Sequence, residues 1–265
     1  MSRDYGLKRF EAPVELRIQY DRELNPEQLA AVTAPDGPAL VIAGAGSGKT
    51  RTLTYRVAWL IEHGVPADRI LLLTFTNKAA KEMMSRVTDL LGGGVSNLAG
   101  GTFHSVGQRI LRRHADRLGY RPDFTIADRE DAQDLIEACI EDAGIKVTET
   151  RFPSGEVLAD MFSMAVNRRV PLEKTIAERY EYFGGLTPEI TRVAKAYAER
   201  KRVTGLMDLD DLLVLWLRLV EEQDAVGDAL RRRFRYLLVD EYQDTNQIQG
   251  DLIDRLSELH HNVMA

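Results

Sequence analysis

The sequence predicts an α/β fold: a central parallel sheet with helices on both faces, interrupted by a mostly helical segment. Three observations carry this prediction. Apolar runs at 39–44 (ALVIAG), 69–75 (RILLLTF) and 236–241 (YLLVDE) are each followed by a stretch of helical spacing, the alternation expected of parallel βαβ units. A glycine-rich stretch, AGAGSGKT, falls between the first run and its helix. Between about 119 and 205 the periodic segments are mostly helical.

Taken in order, residues 1–20 show no clear period and read as an N-terminal arm. LNPEQLAAV is expected to form a short helix, with Asn25 as N-cap and Pro26 at its first position. ALVIAG suits a strand buried on both faces. KTRTLTYRVAWLIEHG is helical and stops at Gly64. RILLLTF is a second buried strand, and NKAAKEMMSRVTDLLGGG a helix ended by glycines, with Asn77 a candidate cap. NLAGGTF is a weaker strand leading into a basic helix from about His104 to Leu118, which His104 and Ser105 could cap. The helical stretch holds REDAQDLIEACIEDAG, capped by Asp128, then EVLADMFSMAVNRR and TPEITRVAKAYAERKR. YLLVDE then returns as a strand, NQIQGDLIDRLSELHH as a helix, and NVMA as the opening of one more strand.

A net charge of -6 over 265 residues excludes a uniformly basic nucleic-acid coat but leaves room for local patches. Arg109, Arg112, Arg113, Arg117 and Arg121 form one basic cluster and RRRFR at 231–235 another, each by default a solvated helix face. A single cysteine, Cys139, excludes a disulfide framework and a thiolate metal site. The charged start lacks the apolar core of a signal peptide, and no uncharged stretch would span a bilayer, so a chain without membrane contact, in the cytoplasm, is expected.

AGAGSGKT, Ala43 to Thr50, matches the phosphate-loop pattern G-x-x-x-x-G-K-[ST] except that Ala43 replaces the first glycine. Gly46 and Gly48 would let the backbone curl so that its N–H groups point at phosphate oxygens, beside the positive end of the next helix. Gly44, Ala45 and Ser47 complete the loop; Lys49 would reach the β- and γ-phosphates of ATP, and Thr50 would ligate Mg²⁺. The bland alternative is a strand-to-helix turn that merely favours glycine. In such proteins a second strand brings an acid to the metal, which suits Asp240, leaving Glu241 to orient or deprotonate the attacking water. A capping or solvated acid cluster is the alternative for that pair. Asp208, Asp210 and Asp211 read as acids at a helix N-terminus, with a metal site as the lesser alternative.

On five short stretches the chain resembles the UvrD/Rep-type superfamily 1 DNA helicases. LNPEQ is similar to that family's adenine-reading motif, which implies that Gln28 reads the base. AGAGSGKTR matches its phosphate loop, including the initial alanine and Arg51 after it. TFTNKAA (74–80) and GTFHS (101–105) match stretches that touch single-stranded DNA, which implies contacts from Phe75, Thr76, Asn77 and Lys78 and from Thr102, Phe103, His104 and Ser105. From the residues alone, Phe75 could stack on a base and the polar residues after it could meet phosphates, but a buried Phe75 next to a capping Asn77 is the favoured reading there. VDEYQDTNQIQ matches the Mg²⁺ and water-activating motif, where Gln243 would link nucleotide state to DNA grip.

The resemblance implies a RecA-like P-loop NTPase motor domain at 21–118 and 205–265, incomplete at its C-terminus, with a helical insertion subdomain at 119–204. It further implies an ATP-dependent helicase moving 3′ to 5′, with single-stranded DNA or a single-strand/duplex junction as partner. The sequence ends where the family's next motif, a γ-phosphate-sensing glutamine, would begin, and it lacks the second motor domain, so it looks like the front half of a longer helicase. Two other readings remain: a nucleotide-dependent DNA-binding module without motor activity, and the front of a helicase–nuclease subunit.

Overall fold

Four short strands pair in parallel, and the two central ones are buried, mostly apolar runs covered on both faces. The computed structural model describes residues 17–44, 46–93, 95, 97–145 and 151–265; residues 1–16 of the expected arm, and Ala45 of the glycine-rich loop, lie outside them. The sheet has the order β2-β1-β5-β6, with β1 Ile70–Thr74, β2 Ala99–Thr102, β5 Tyr236–Val239 and β6 Val263–Met264. Leu71 lies opposite Ala99 on one side and Leu237 on the other, so β1 is central. Ile70, Leu71, Leu72 and Leu73 are buried, each worth about 1.5–3 kcal/mol against exposure.

One face of the sheet is covered by α3 (Lys49–Glu62) and α4 (Asn77–Leu90), which join Leu53, Val57, Met83 and Val87 to Ile70, Leu72 and Leu238 in one apolar cluster. The other face carries α5 (Phe103–His114), α10 (Leu209–Glu222), α11 (Asp224–Arg233) and α12 (Gln247–Ser257), with Phe103, Trp216, Leu237 and Leu252 in a second cluster. Gly107 lets α5 close on α10: a Cβ there would lie 3.0 Å from the Leu212 carbonyl oxygen and 3.2 Å from the Trp216 ring. At the other end of the described chain, Tyr20 of the short α1 (Tyr20–Glu23) packs edge-on against Tyr55 and Trp59, and α2 (Pro26–Val32) follows.

Residues 129–204 contribute α6 (Arg129–Asp142), α7 (Gly155–Asn167), α8 (Leu172–Arg179) and α9 (Thr187–Thr204). They have an apolar cluster of their own, including Ile136, Ile140, Leu158, Met161, Ile190 and Val193. Two-residue strands, β3 (Thr125–Ile126) and β4 (Leu206–Met207), pair in parallel where the chain leaves for these helices and returns. Such short pairs leave too little alternation to be read from sequence.

Several expectations need correction. ALVIAG is not a strand buried on both faces. Ala39 and Val41 lie against the α3/α4 cluster, whereas Leu40 is 69% and Ile42 89% exposed. The segment is held to β6 only by Ala39 N–H to the Val263 oxygen (2.8 Å), Val41 N–H to the Ala265 oxygen (2.7 Å) and Ala265 N–H to the Ala39 oxygen (3.0 Å). The helix clusters that bury the other strands do not reach Leu40 and Ile42. Helix caps also differ by one to three residues. Thr76, not Asn77, caps α4 by accepting from Ala79 N–H, and Thr102, rather than His104 or Ser105, caps α5 by accepting from Ser105 N–H. Both threonines are extended and place their hydroxyl over the first turn, which a residue already inside the helix cannot do. Asn25 and Asp128 cap as expected, and Gly64 takes the left-handed conformation after α3.

Candidate functional site

Every parallel strand ends at the same edge of the sheet. The chain therefore delivers the glycine loop, TFTNK, TFHS and DE to one side, where ligands of open α/β sheets bind. Gly46 and Gly48 have φ of 77° and 86°, left-handed values that glycine adopts at little cost. Gly48 is also the N-cap of α3 and brings no side chain to its first turn, in contrast to the capped starts of α2, α4 and α5. The first-turn N–H groups thus remain available to an anion. Ser47 turns inward on the loop, donating from Oγ to the Gly44 oxygen at 2.7 Å.

Opposite the loop stands the tip of β5. Lys49 Nζ lies 3.2 Å from Glu241 Oε2, and Thr50 Oγ1 donates to Asp240 Oδ2 at 3.4 Å, although about 190 residues separate the partners. Gln243 Nε2 donates to the same Glu241 oxygen. Asp240 is fixed by its own N–H, which donates to the Leu73 oxygen at 2.9 Å and extends the β1–β5 ladder. Burial, with the Glu241 charge beside it, pushes the Asp240 carboxyl up from its usual range. Glu241 is held below its range by the Gln243 hydrogen bond and then by Lys49. Glu241 also has φ 51°, an uncommon backbone state for a side chain of its size. Lys49, Asp240, Glu241 and Gln243, with Leu40–Ala43, Thr52, Leu53, Val239, Tyr242 and Ala265, line a cleft of about 300 Å³.

The donor set fits a magnesium nucleotide. Thr50 hydroxyl and Asp240 carboxylate are hard oxygen ligands that face each other, the Lys49 ammonium is beside them, and the uncapped helix start suits phosphate. A Cβ on Gly44 or Gly46 would meet nothing within 4 Å, so the loop borders open space. Among the described residues no cluster of three or more His, Cys, Asp or Glu side chains could hold a metal ion by itself.

The remaining nucleotide candidates are otherwise engaged. Gln28 donates from Nε2 to the Ser47 oxygen at 2.9 Å and accepts from Asn25 N–H at 3.3 Å, so the residue expected to read adenine also braces the loop. Arg51 points away from the cleft, donating to the Glu23 oxygen at 2.9 Å and to the Tyr55 hydroxyl at 3.1 Å.

The family model described as the UvrD/REP helicase N-terminal domain matches residues 24–265. The chain belongs to this family. It is 37% identical over 242 residues to a protein named ATP-dependent DNA helicase PcrA from Bacillus subtilis, covering 91% of this chain and 32% of that protein. Proteins of the same name from Staphylococcus epidermidis and Staphylococcus aureus are 36% and 35% identical, again over 91% of this chain and 32% of theirs. The chain thus spans about a third of the length of the curated relatives it matches.

In this UvrD/REP-family chain the two stretches expected to meet DNA divide into surface and core. Thr76, Asn77 and Lys78 are exposed, and Phe75 is half-buried with its ring 5.9 Å from that of Phe103. Phe103 itself is 1% exposed and Thr102 7%. Phe103 packs in the core under the sheet, and the Thr102 hydroxyl accepts from Ser105 N–H as the α5 cap. His104 and Ser105 are half-buried; burial lowers the His104 imidazole pKa, with Asp210 opposing.

Asp208, Asp210 and Asp211 are accounted for without a metal. Asp208 and Asp211 form a capping box on α10, and both pair with the buried Lys201 ammonium at 2.5 and 2.6 Å. Burial and the Asp208 charge raise the Asp211 carboxyl to about 6. Sequence reasoning missed Lys201, and it missed Asn167, which links Asp210 to Asn246. The N-x-x-Q pattern of Asn246 and Gln249 marks a capping box directly after the acid loop, but nothing in it points to Lys201 or Asn167. Among the described residues no helix is long and apolar enough to cross a membrane.

Proposed function

We propose that this chain is the ATP-binding motor domain of a DNA helicase or translocase that moves 3′ to 5′ on single strands. In this reading 21–118 and 205–265 form the motor, 119–204 an inserted subdomain and 1–20 an arm. The observation that carries the reading is the pairing of Lys49 with Glu241 and Thr50 with Asp240 across a cleft that starts with an uncapped helix. Membership of the UvrD/REP family and likeness to proteins named DNA helicases support DNA as the partner; a single strand or its junction with duplex, met in the cytoplasm, completes the proposal.

Thr50 and Asp240 would hold Mg²⁺, which when bound neutralises charge on the β- and γ-phosphates. Lys49 and the loop N–H groups would bind and orient the triphosphate. Glu241 would then lose its ammonium partner to the phosphates, leaving a carboxylate free to accept a proton from water; its depressed pKa keeps it ionised at neutral pH. Gln243, already bonded to Glu241, would register that change. Phe75 and the exposed Thr76, Asn77 and Lys78 at the same sheet edge would meet the DNA strand.

The curated relatives are about three times as long, and a second motor domain in such proteins would supply a further cation to the triphosphate. An arginine of that kind contributes about 10³–10⁵ in rate in related NTPases. These 265 residues are therefore expected to bind ATP, hydrolyse it very slowly and unwind nothing. Titration of a fluorescent ATP analogue into the wild type and Lys49→Ala, with steady-state ATPase measured with and without single-stranded DNA, tests this. Unchanged nucleotide affinity in the variant overturns the site, and robust DNA-stimulated turnover overturns the need for a second motor.

A further inference from the structure

The segment after Glu241 is a short, well-fastened link. Asp244 N–H donates to the Glu241 oxygen at 2.9 Å and Thr245 N–H to the Tyr242 oxygen at 3.0 Å, so 241–245 is a compact turn. It ends on Asn246, which caps α12 by accepting from Gln249 N–H at 2.9 Å while Gln249 Oε1 accepts from Asn246 N–H at 3.0 Å. A shift at Glu241 therefore reaches the start of α12 with little slack.

What α12 holds at that point is the carboxyl end of α7. Asn246 Nδ2 donates to Asn167 Oδ1 at 2.7 Å, and Asn167 Nδ2 donates in turn to Asp210 Oδ1 at 2.7 Å in the first turn of α10. Contacts from Asn167 Nδ2 to the Ser163 oxygen and hydroxyl, at 2.9 and 3.0 Å, set the direction of the amide. Two residues further, Arg169 pairs with Asp251 of α12 and lies 3.8 Å from Glu221 of α10, while Gln247 holds the other Asp251 oxygen at 2.7 Å. Arg169 has φ 52°, and Val166 beside it packs into the core under the sheet. The end of α7 is thus tied to the helix after the acid loop at two separate points, one neutral and one ionic.

The acid loop has two electrostatically distinct conditions. In this structure Glu241 is held in its left-handed backbone state beside Lys49 and Gln243. A polyphosphate in the loop would take the Lys49 ammonium and leave Glu241 with Gln243 alone. A ligand moves a structure only through contacts that differ between its states, and this contact differs.

We propose that Asn167 and Arg169 are positioning residues that carry the Lys49–Glu241 contact, made or broken, through α12 into α7 and the helices packed on it. The inference rests on the nucleotide reading above and adds the route by which 129–204 would sense it. Neither residue faces the nucleotide cleft; each acts through Asn246 or Asp251.

Hydrogen exchange of the 265-residue chain with and without Mg·AMP-PNP tests the proposal, with nucleotide affinity measured alongside. In the wild type, amides of 155–170 are expected to change their exchange rate by about fivefold or more on nucleotide binding, the lower end of usual coupling between sites. Asn167→Ala/Arg169→Ala is expected to abolish that response while nucleotide affinity stays within about threefold, well under the coupling expected. Should this double variant fail to fold, Asn246→Ser/Asp251→Ala serves instead: serine still caps α12 but is too short to reach Asn167, and alanine releases Arg169. A response equal to wild type in either variant overturns the relay, as does a wild type that binds nucleotide without any change in 155–170. A wild type that binds no nucleotide overturns the nucleotide reading, and the relay with it.

Discussion

Glu241→Gln removes a negative charge 3.2 Å from the Lys49 ammonium and leaves the shape of the cleft intact. The two side chains are 30% and 39% exposed, so their ion pair contributes only about 0–1 kcal/mol to the empty protein. Loss of that pair should lower the urea-unfolding free energy by no more than about 1 kcal/mol. The same energy reappears in binding, because Lys49 no longer has to leave a carboxylate for the triphosphate. Nucleotide affinity is therefore expected to rise, by up to about fivefold, since 1 kcal/mol is close to that ratio at room temperature. Hydrolysis, slow as it is in this chain, should fall by about 10²–10⁴ with loss of the base. Lys49→Ala should do the opposite to binding, weakening it by about 10- to 150-fold for the loss of a charge-assisted contact of about 1.5–3 kcal/mol. Titration of a fluorescent ATP analogue with Mg²⁺ reads the affinities, urea unfolding of each variant the stabilities, and steady-state ATPase the hydrolysis. Weaker nucleotide binding by Glu241→Gln would show that the carboxylate does not compete for Lys49, and the argument for the site would fail.

Three further outcomes follow from the same geometry. Asp240→Asn should stabilise the nucleotide-free chain: an acid whose folded pKa is raised costs stability once the pH passes its unfolded value, so the gain should be absent near pH 3 and present at pH 7 in urea unfolding, while Mg²⁺-dependent tightening of nucleotide is lost. Lys201→Met strands two buried carboxylates, Asp208 and Asp211, and should lower the unfolding free energy by about 3–5 kcal/mol, a larger loss than any exposed ion pair gives. Phe103→Ala should cost about 3–5 kcal/mol of stability, whereas Phe75→Ala should cost less and weaken binding of a labelled single-stranded oligonucleotide; equal stability losses would contradict the division into core and surface.

The legible parts of this protein are those whose physics is local. AGAGSGKT, the apolar run into Asp240 and Glu241, and the alternation of strand-like and helix-like spacing each depend on neighbours within a few residues, and together they predicted the parallel α/β fold that the coordinates and the family match both support. Caps were legible at Asn25 and Asp128, but at α4 and α5 a threonine one to three residues earlier took the place of Asn77 and of His104 or Ser105.

What tertiary structure decided were matters of company. TFHS looks the same whether Phe103 faces solvent or core, and only the packing of α5 under the sheet buries it. ALVIAG has the composition of a covered strand, yet Leu40 and Ile42 are bare because cover comes from other elements and none of the helix clusters reaches that face. Lys201 and Asn167 carry no sequence signal, since their meaning lies in carboxylates and amides that folding brings from other helices. Sequence by itself determined which chemistry is present and the strand tips from which it projects. Folding alone decided which groups touch, because a hydrogen bond between residues 79 or 192 apart depends on where the whole chain places them, and no local pattern encodes that.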